Sequence, residues 1–172
     1  MNMVQCQRVE KLRFTTNHDE SNISTPIIVY GGKDGALAAS VITIYLEGVP
    51  LIYCGQEVGV NSTSVYNGNY TIDWTANPDM LAAYQFLLNY YKDSNAAKKR
   101  VAETFNHVNI AMFKKTYDNE QIAVLVNTRE TTETFAVPVN LQGDWINTSN
   151  NSGVVLTGSL TLLPYEYWLL KN

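Results

Sequence analysis

Arg13-Phe14-Thr15-Thr16-Asn17-His18-Asp19-Glu20 is a short extended run that stops abruptly in an imidazole and two carboxylates. A second run, Gly48-Val49-Pro50-Leu51-Ile52-Tyr53-Cys54-Gly55-Gln56-Glu57-Val58-Gly59, follows the same plan, an apolar stretch ending in a glycine and a carboxylate. Its flanking turn formers predict that Val49–Cys54 is a strand buried on both faces. Between the two runs, Asp34 is placed to cap a helix from Gly35 to about Glu47. Leu37, Val41, Ile44 and Tyr45 recur there at spacings of three and four and share one face. Gly48 suits the position after a helix, where φ is positive. Further on, Asn77 precedes Pro78 at a first helical position, and Leu81, Tyr84, Leu88 and Tyr91 form a second stripe. Gly55 to Asn77 reads as a polar loop, as does the stretch around Pro26. Strand, helix, strand, helix is the rhythm of a parallel sheet, whose strands need helical crossovers.

From about Val101 the texture changes to strands. Asn109–Tyr117 and Gln121–Thr128 flank a turn at Asp118-Asn119-Glu120. Thr134–Val139 alternates, with Phe135, Val137 and Val139 on one side. Val154–Thr157, Leu160–Leu163 and Tyr165–Leu170 follow, while Asn147–Gly153 reads as a polar loop. Short strands at this spacing predict an antiparallel sandwich or barrel. The fold class is therefore α/β followed by all-β, with a division near residue 100 and a sandwich, 101–172, that folds on its own core.

The 172 residues carry 12 basic and 16 acidic side chains, a net charge of −4. That balance argues against nucleic acid or an anionic membrane surface as partner, since both require a cationic footprint. The most apolar stretch, Ala36 to Cys54, is interrupted by Glu47, Gly48 and Pro50 and does not read as a membrane span. The opening MNMVQCQRVEKLRF carries no signal-peptide pattern. Two cysteines are too few for a disulfide framework. Two buried free thiols are the plain reading of Cys6 and Cys54, and a pair is the alternative.

Carboxylates and an imidazole at the C-terminal end of a parallel strand sit where ligands bind in α/β folds. His18 and Asp19 together could grip vicinal hydroxyls. On the residues alone, the plainer reading is that Asp19 caps the next turn and His18 is a half-buried ring with its hydrogen bonds met. For the second run the plain reading has Gly55 making the turn and Glu57 satisfying loop amides. Trp74, Trp145, Trp168 and the tyrosines could stack on sugar rings; Trp168 reads as core, and Trp145, in a turn-rich segment, as the better candidate for exposure. Gly31-Gly32-Lys33-Asp34-Gly35 lacks the spacing of a phosphate-binding loop.

Taken together, the Asn17-His18-Asp19 strand end and the Tyr53-Cys54-Gly55-Gln56-Glu57 strand end resemble strands seven and eight of the catalytic barrel in the alpha-amylase superfamily of glycoside hydrolases. Ile72-Asp73-Trp74 resembles the loop before helix eight, Leu81–Tyr91 helix eight, and the strand-rich tail the C-terminal β-sandwich. The resemblance implies a partial (β/α)8 barrel of two strands and two helices in residues 1–100, followed by an antiparallel sandwich. It implies that Asp19 is the transition-state-stabilising carboxylate and His18 binds the same sugar, with Tyr53, Gly55 and Glu57 structural at the strand end. A whole barrel needs about 250 residues. Retaining glycosidases also need two carboxyl groups about 5–5.5 Å apart, which the family carries on strands four and five. The expectation is thus the C-terminal part of an enzyme acting on alpha-glucans, inactive alone. A non-catalytic glucan-binding or structural module is the alternative. No metal or cofactor is expected, the family's calcium site lying on segments other than these. The open edges of Lys11–Thr16 and Val49–Cys54, with an inner surface carrying Phe14, Ile52 and Tyr53, predict a homo-oligomer.

Overall fold

Lys11–Thr16 and the run after Gly48 lie side by side in a computed structural model that describes residues 11–63, 68, 70–99 and 101–172. Cys6 lies outside these residues; Cys54 is a free and exposed thiol, not a buried one. Strand β1 (Leu12–Arg13) pairs in parallel with β2 (Val49–Pro50), Leu12 opposite Val49 and Arg13 opposite Pro50. The amides of Val49 and Leu51 donate to Lys11 O at 2.9 Å and Arg13 O at 2.8 Å. Gly48, at φ +115°, makes this approach possible, because a Cβ there would collide with the Lys11 carbonyl oxygen.

Helix α1 (Pro26–Val29) occupies what the sequence suggested was loop, and α2 runs from Gly32 to Tyr45. The start of α2 is earlier than expected. Gly31 takes the left-handed cap position and Asp34 falls inside the first turn, where its charge still suits the helix dipole. Helix α3 (Pro78–Asp93) begins with Pro78 after Asn77 as expected; its fully buried face is Met80, Tyr84 and Leu87, with Leu81, Leu88 and Tyr91 half-buried beside it.

The run from Val49 is not covered on both sides. Pairing in register puts Leu12, Phe14 and Val49 on one face, and they are 59 %, 39 % and 39 % exposed. Ile52, which the sequence placed with Phe14 on the inner surface, packs instead against the helices. The reason is the alternation of the strand: Ile52 shares the side of Pro50, while Leu51 and Tyr53 share that of Val49.

The antiparallel part has two sheets. The larger has the order β3-β4-β5-β10-β7-β8, formed by Glu103–Phe105, Ile110–Tyr117, Glu120–Asn127, Tyr167–Lys171, Gly143–Asn147 and Ser152–Leu156 respectively. The smaller pairs β6 (Glu133–Ala136) with β9 (Ser159–Leu162). The β4–β5 turn uses Asp118 at φ +51°. Val139 departs from the alternation: the chain enters a 3-10 turn at Val139–Leu141, leaving Val139 exposed and burying Leu141. Trp145 is also the reverse of the expectation. It is 5 % exposed, lies on β7, and donates from Nε1 to Leu141 O at 2.9 Å.

Every residue from Ile122 to Asn127 is buried. Ala123 and Leu125 face β6–β9, in a cluster with Phe135, Leu141, Trp145 and Leu162. Ile122, Val124 and Val126 face the helices, in a cluster with Val41, Ile44, Tyr45, Leu87 and Phe113. The large sheet is therefore shared: one core lies between the two sheets, built from residues after 100 alone, and a second core lies between the sheet and the helices. Lys115 bridges the same boundary. Its Nζ donates to Tyr45 O, at the end of α2, at 2.9 Å and to Ala97 O. Burial pushes this ammonium down to about 8, with Glu47 acting in the opposite sense.

Candidate functional site

The site begins where β1 runs out. Thr16 is buried, and the chain then turns on Asn17, whose Oδ1 accepts the backbone N–H of Asp19 at 2.8 Å and of Glu20 at 2.9 Å. Asn17, not Asp19, therefore ties this turn. Ser21 Oγ and Asn22 Nδ2 donate to the His18 carbonyl at 3.2 and 2.8 Å and hold the turn from its other side. Released from capping, the Asp19 carboxylate faces solvent. His18 Nε2 lies 3.3 Å from Asp19 Oδ1, with the two side chains 59 % and 78 % exposed. His18 is thus exposed rather than half-buried. A carboxylate acceptor beside an imidazole is a pair able to address two neighbouring hydroxyls.

The second loop leaves β2 at the same end, because the strands are parallel. Gly55, at φ +84°, turns the chain into a 3-10 segment, Gln56–Val58. Gln56 performs the task the sequence gave to Glu57. Its Oε1 accepts the Tyr53 amide at 3.2 Å, and its Nε2 donates to Tyr84 Oη at 3.0 Å and Ser40 Oγ at 3.3 Å. Ser40 and Tyr84 share a 2.6 Å hydrogen bond. Burial raises the Tyr84 phenol above its ordinary value, against the pull of the Ser40 and Gln56 hydrogen bonds. This buried triad joins α2, α3 and the turn after β2. Glu57 is half-buried, and its Oε2 has no hydrogen-bond partner among the described residues.

The two loops meet around a cavity of about 20 Å³ lined by Thr16, Ser21, Thr25, Tyr53, Cys54 and Gln56. The structure thus brings His18 and Asp19 to the same end of the parallel pair as Tyr53, Gly55 and Glu57. Sequence reading missed Gln56, Ser40 and Tyr84; a glutamine within a turn and a serine within a helix announce no partner until the fold joins them. Among the described residues no group of three or more His, Cys, Asp or Glu side chains could hold a metal ion. No described helix is long and apolar enough to cross a membrane.

No protein-family profile matches the chain. A curated relative, Alpha-amylase 2 of Dictyoglomus thermophilum, is 27 % identical over 177 aligned positions, covering 95 % of this chain and 29 % of the relative. Among solved structures, an Anoxybacillus alpha-amylase superposes with a TM-score of 0.77 at 14 % identity, over 93 % of this chain and 37 % of that one. The Geobacillus thermoleovorans alpha-amylase, solved with acarbose, gives 0.74 at 15 % identity, over 93 % and 38 %. The chain spans less than a third of its curated relative's length. Two parallel strands with their crossover helices, closed by an antiparallel sandwich, match the C-terminal part of the alpha-amylase family of glycoside hydrolases.

Proposed function

We propose that the loops after β1 and β2 form part of an alpha-glucan site, with Asp19 the carboxylate that hydrogen-bonds the reacting sugar and favours its oxocarbenium-like transition state. His18 binds the same sugar, and Tyr53, Gly55 and Glu57 shape the strand end. The observation that carries this reading is the exposed His18–Asp19 pair at the C-terminal end of a parallel strand, held outward by Asn17. The acarbose bound by the Geobacillus relative supports the substrate class. Residues 1–100 are proposed as barrel remnant and 101–172 as sandwich.

Alone, the chain is proposed to bind glucan without cutting it, because Asp19 supplies neither the nucleophile nor the general acid. Calorimetric titration with maltoheptaose tests binding, and a chromogenic maltoside tests hydrolysis. Asp19→Asn is expected to weaken binding about 10- to 100-fold, the loss of a charged hydrogen-bond acceptor. Turnover abolished by Asp19→Asn would defeat the claim of inactivity. Unchanged affinity in that variant would defeat the site.

The same reading includes self-association. Leu12, Phe14 and Val49 form an exposed apolar face on a sheet that has two strands among the described residues, a surface suited to pairing with another copy. Light scattering on a size-exclusion column at micromolar concentration should give at least twice the 19.3 kDa chain mass. A monomer would rule this out.

A further inference from the structure

Of the three tryptophans, two have settled roles. Trp145 is buried and Trp168 half-buried, and their Nε1 atoms donate to Leu141 O at 2.9 Å and Glu166 Oε1 at 2.8 Å. Trp74 is 50 % exposed, with Tyr70 also exposed on the same loop. An indole left to water forgoes the burial that makes large aromatics favourable in a fold.

The loop that carries Trp74 is pinned at both ends to the turn after β2. At its root, Ile72 Cδ1 lies 3.2 Å from where a Cβ on Gly55 would sit. At its far end Asn77 Nδ2 donates to Val58 O at 2.7 Å. The tip is braced as well: Asp73 Oδ1 accepts from Thr75 N at 2.9 Å and Thr75 Oγ1 at 2.6 Å. Those hydrogen bonds hold the Asp73 carboxyl below its ordinary value. Gly55 is the turn at the C-terminal end of β2, and β2 is the parallel neighbour of β1, whose same end carries His18 and Asp19.

Resting on the glucan reading above, we propose that Trp74 is a further glucan-contacting residue, its indole face stacking on a pyranose ring of the same oligosaccharide that His18 and Asp19 address. A sugar is uncharged, so the −4 net charge of the chain neither attracts nor repels it. Affinity must come from hydrogen bonds and from aromatic surface against sugar C–H groups. A braced loop presents that surface with little ordering left to do on binding.

The test uses the full chain and maltoheptaose. Acrylamide quenching of tryptophan fluorescence reports mainly the exposed Trp74. Saturating maltoheptaose is expected to reduce quenching in the wild type and to have no such effect in Trp74→Ala. Titration should show affinity falling about tenfold or more in Trp74→Ala and largely retained in Trp74→Phe. Binding that Asp19→Asn weakens but Trp74→Ala leaves unchanged overturns this inference and keeps the glucan site. No binding of maltoheptaose by the wild type overturns both. Should Trp74→Ala fail to fold, wild-type quenching decides: protection by the sugar supports the contact, and unprotected indole with sugar bound refutes it.

Discussion

The two halves of the molecule treat their polar groups differently. Among the described residues, Thr15 Oγ1, Thr25 Oγ1 and Glu57 Oε2 are buried side-chain atoms without a hydrogen-bond partner, and all three precede residue 100. In the sandwich, by contrast, buried Asn127 donates from Nδ2 to Thr131 O at 2.7 Å and Leu163 O at 2.9 Å, and its Oδ1 accepts from Arg129 N at 3.0 Å. The same half holds most of the fully buried side chains, while the parallel pair keeps Leu12, Phe14 and Val49 in contact with water. A sheet closed by a second sheet and two helices can satisfy its interior. A parallel pair of two short strands has fewer groups around it to meet such needs.

Phe113→Ala makes the sharpest cut at this contrast. Phe113 is almost fully buried in the core shared by helices and sheet, so truncation should cost about 3–5 kcal/mol of stability in denaturant titration. Leu12→Ala, on the open face, should cost about 0.5 kcal/mol or less. Equal costs would mean that the parallel pair is covered in solution.

Lys115 supplies the next effect. Lys115→Met leaves the Tyr45 and Ala97 carbonyls without their donor, at a cost of about 1–3 kcal/mol. The pH dependence has a definite sign. The folded ammonium titrates near 8, below the ordinary lysine value of about 10.4. Between those values the unfolded chain binds more protons, so stability rises with pH. Above about 10 the raised phenols oppose it: Tyr45, Tyr84 and Tyr90, the last pushed up to about 12, favour the protonated folded state. Wild-type stability should climb from pH 8 to 10, and the variant should lose that slope. A parallel slope in both proteins would refute the assignment.

The smallest effect concerns Thr25. Its hydroxyl is buried without a partner, so the isosteric Thr25→Val should be neutral or raise stability by up to about 1 kcal/mol. A loss of that size would show that the hydroxyl is hydrogen-bonded in solution.

Much of this was legible in the sequence for local reasons. Asn77-Pro78, the apolar stripes and the glycines at strand ends each act within a few residues, so the parallel pairing and the two helices α2 and α3 emerged, although β1 and β2 are two residues each, shorter than the runs Lys11–Thr16 and Val49–Cys54 that predicted them. Where partners lie far apart in sequence, local signals misled. Trp145 reads as loop because Gly143, Asp144 and Asn147 surround it, yet β10 pairs with Asn147 and Ile146 and draws the segment into the sheet. Gln121–Thr128 was legible as a strand, but its burial on both faces was not, because β6–β9 cover one side and the helices the other. At the site, His18 and Asp19 were visible as residue types, but the exchange of roles between Asp19 and Asn17, and between Glu57 and Gln56, depends on which side chain reaches an amide. Spacing does not carry that information.

The sheet with helices on one side and β6–β9 on the other also bears on which pieces of the chain can be separated. Recombination that transferred residues 101–172 to an unrelated neighbour would strip Phe113, Ile122, Val124 and Val126 of their cover and leave the Lys115 ammonium without its two carbonyls. The sandwich, α2 and α3 thus behave as one packing unit.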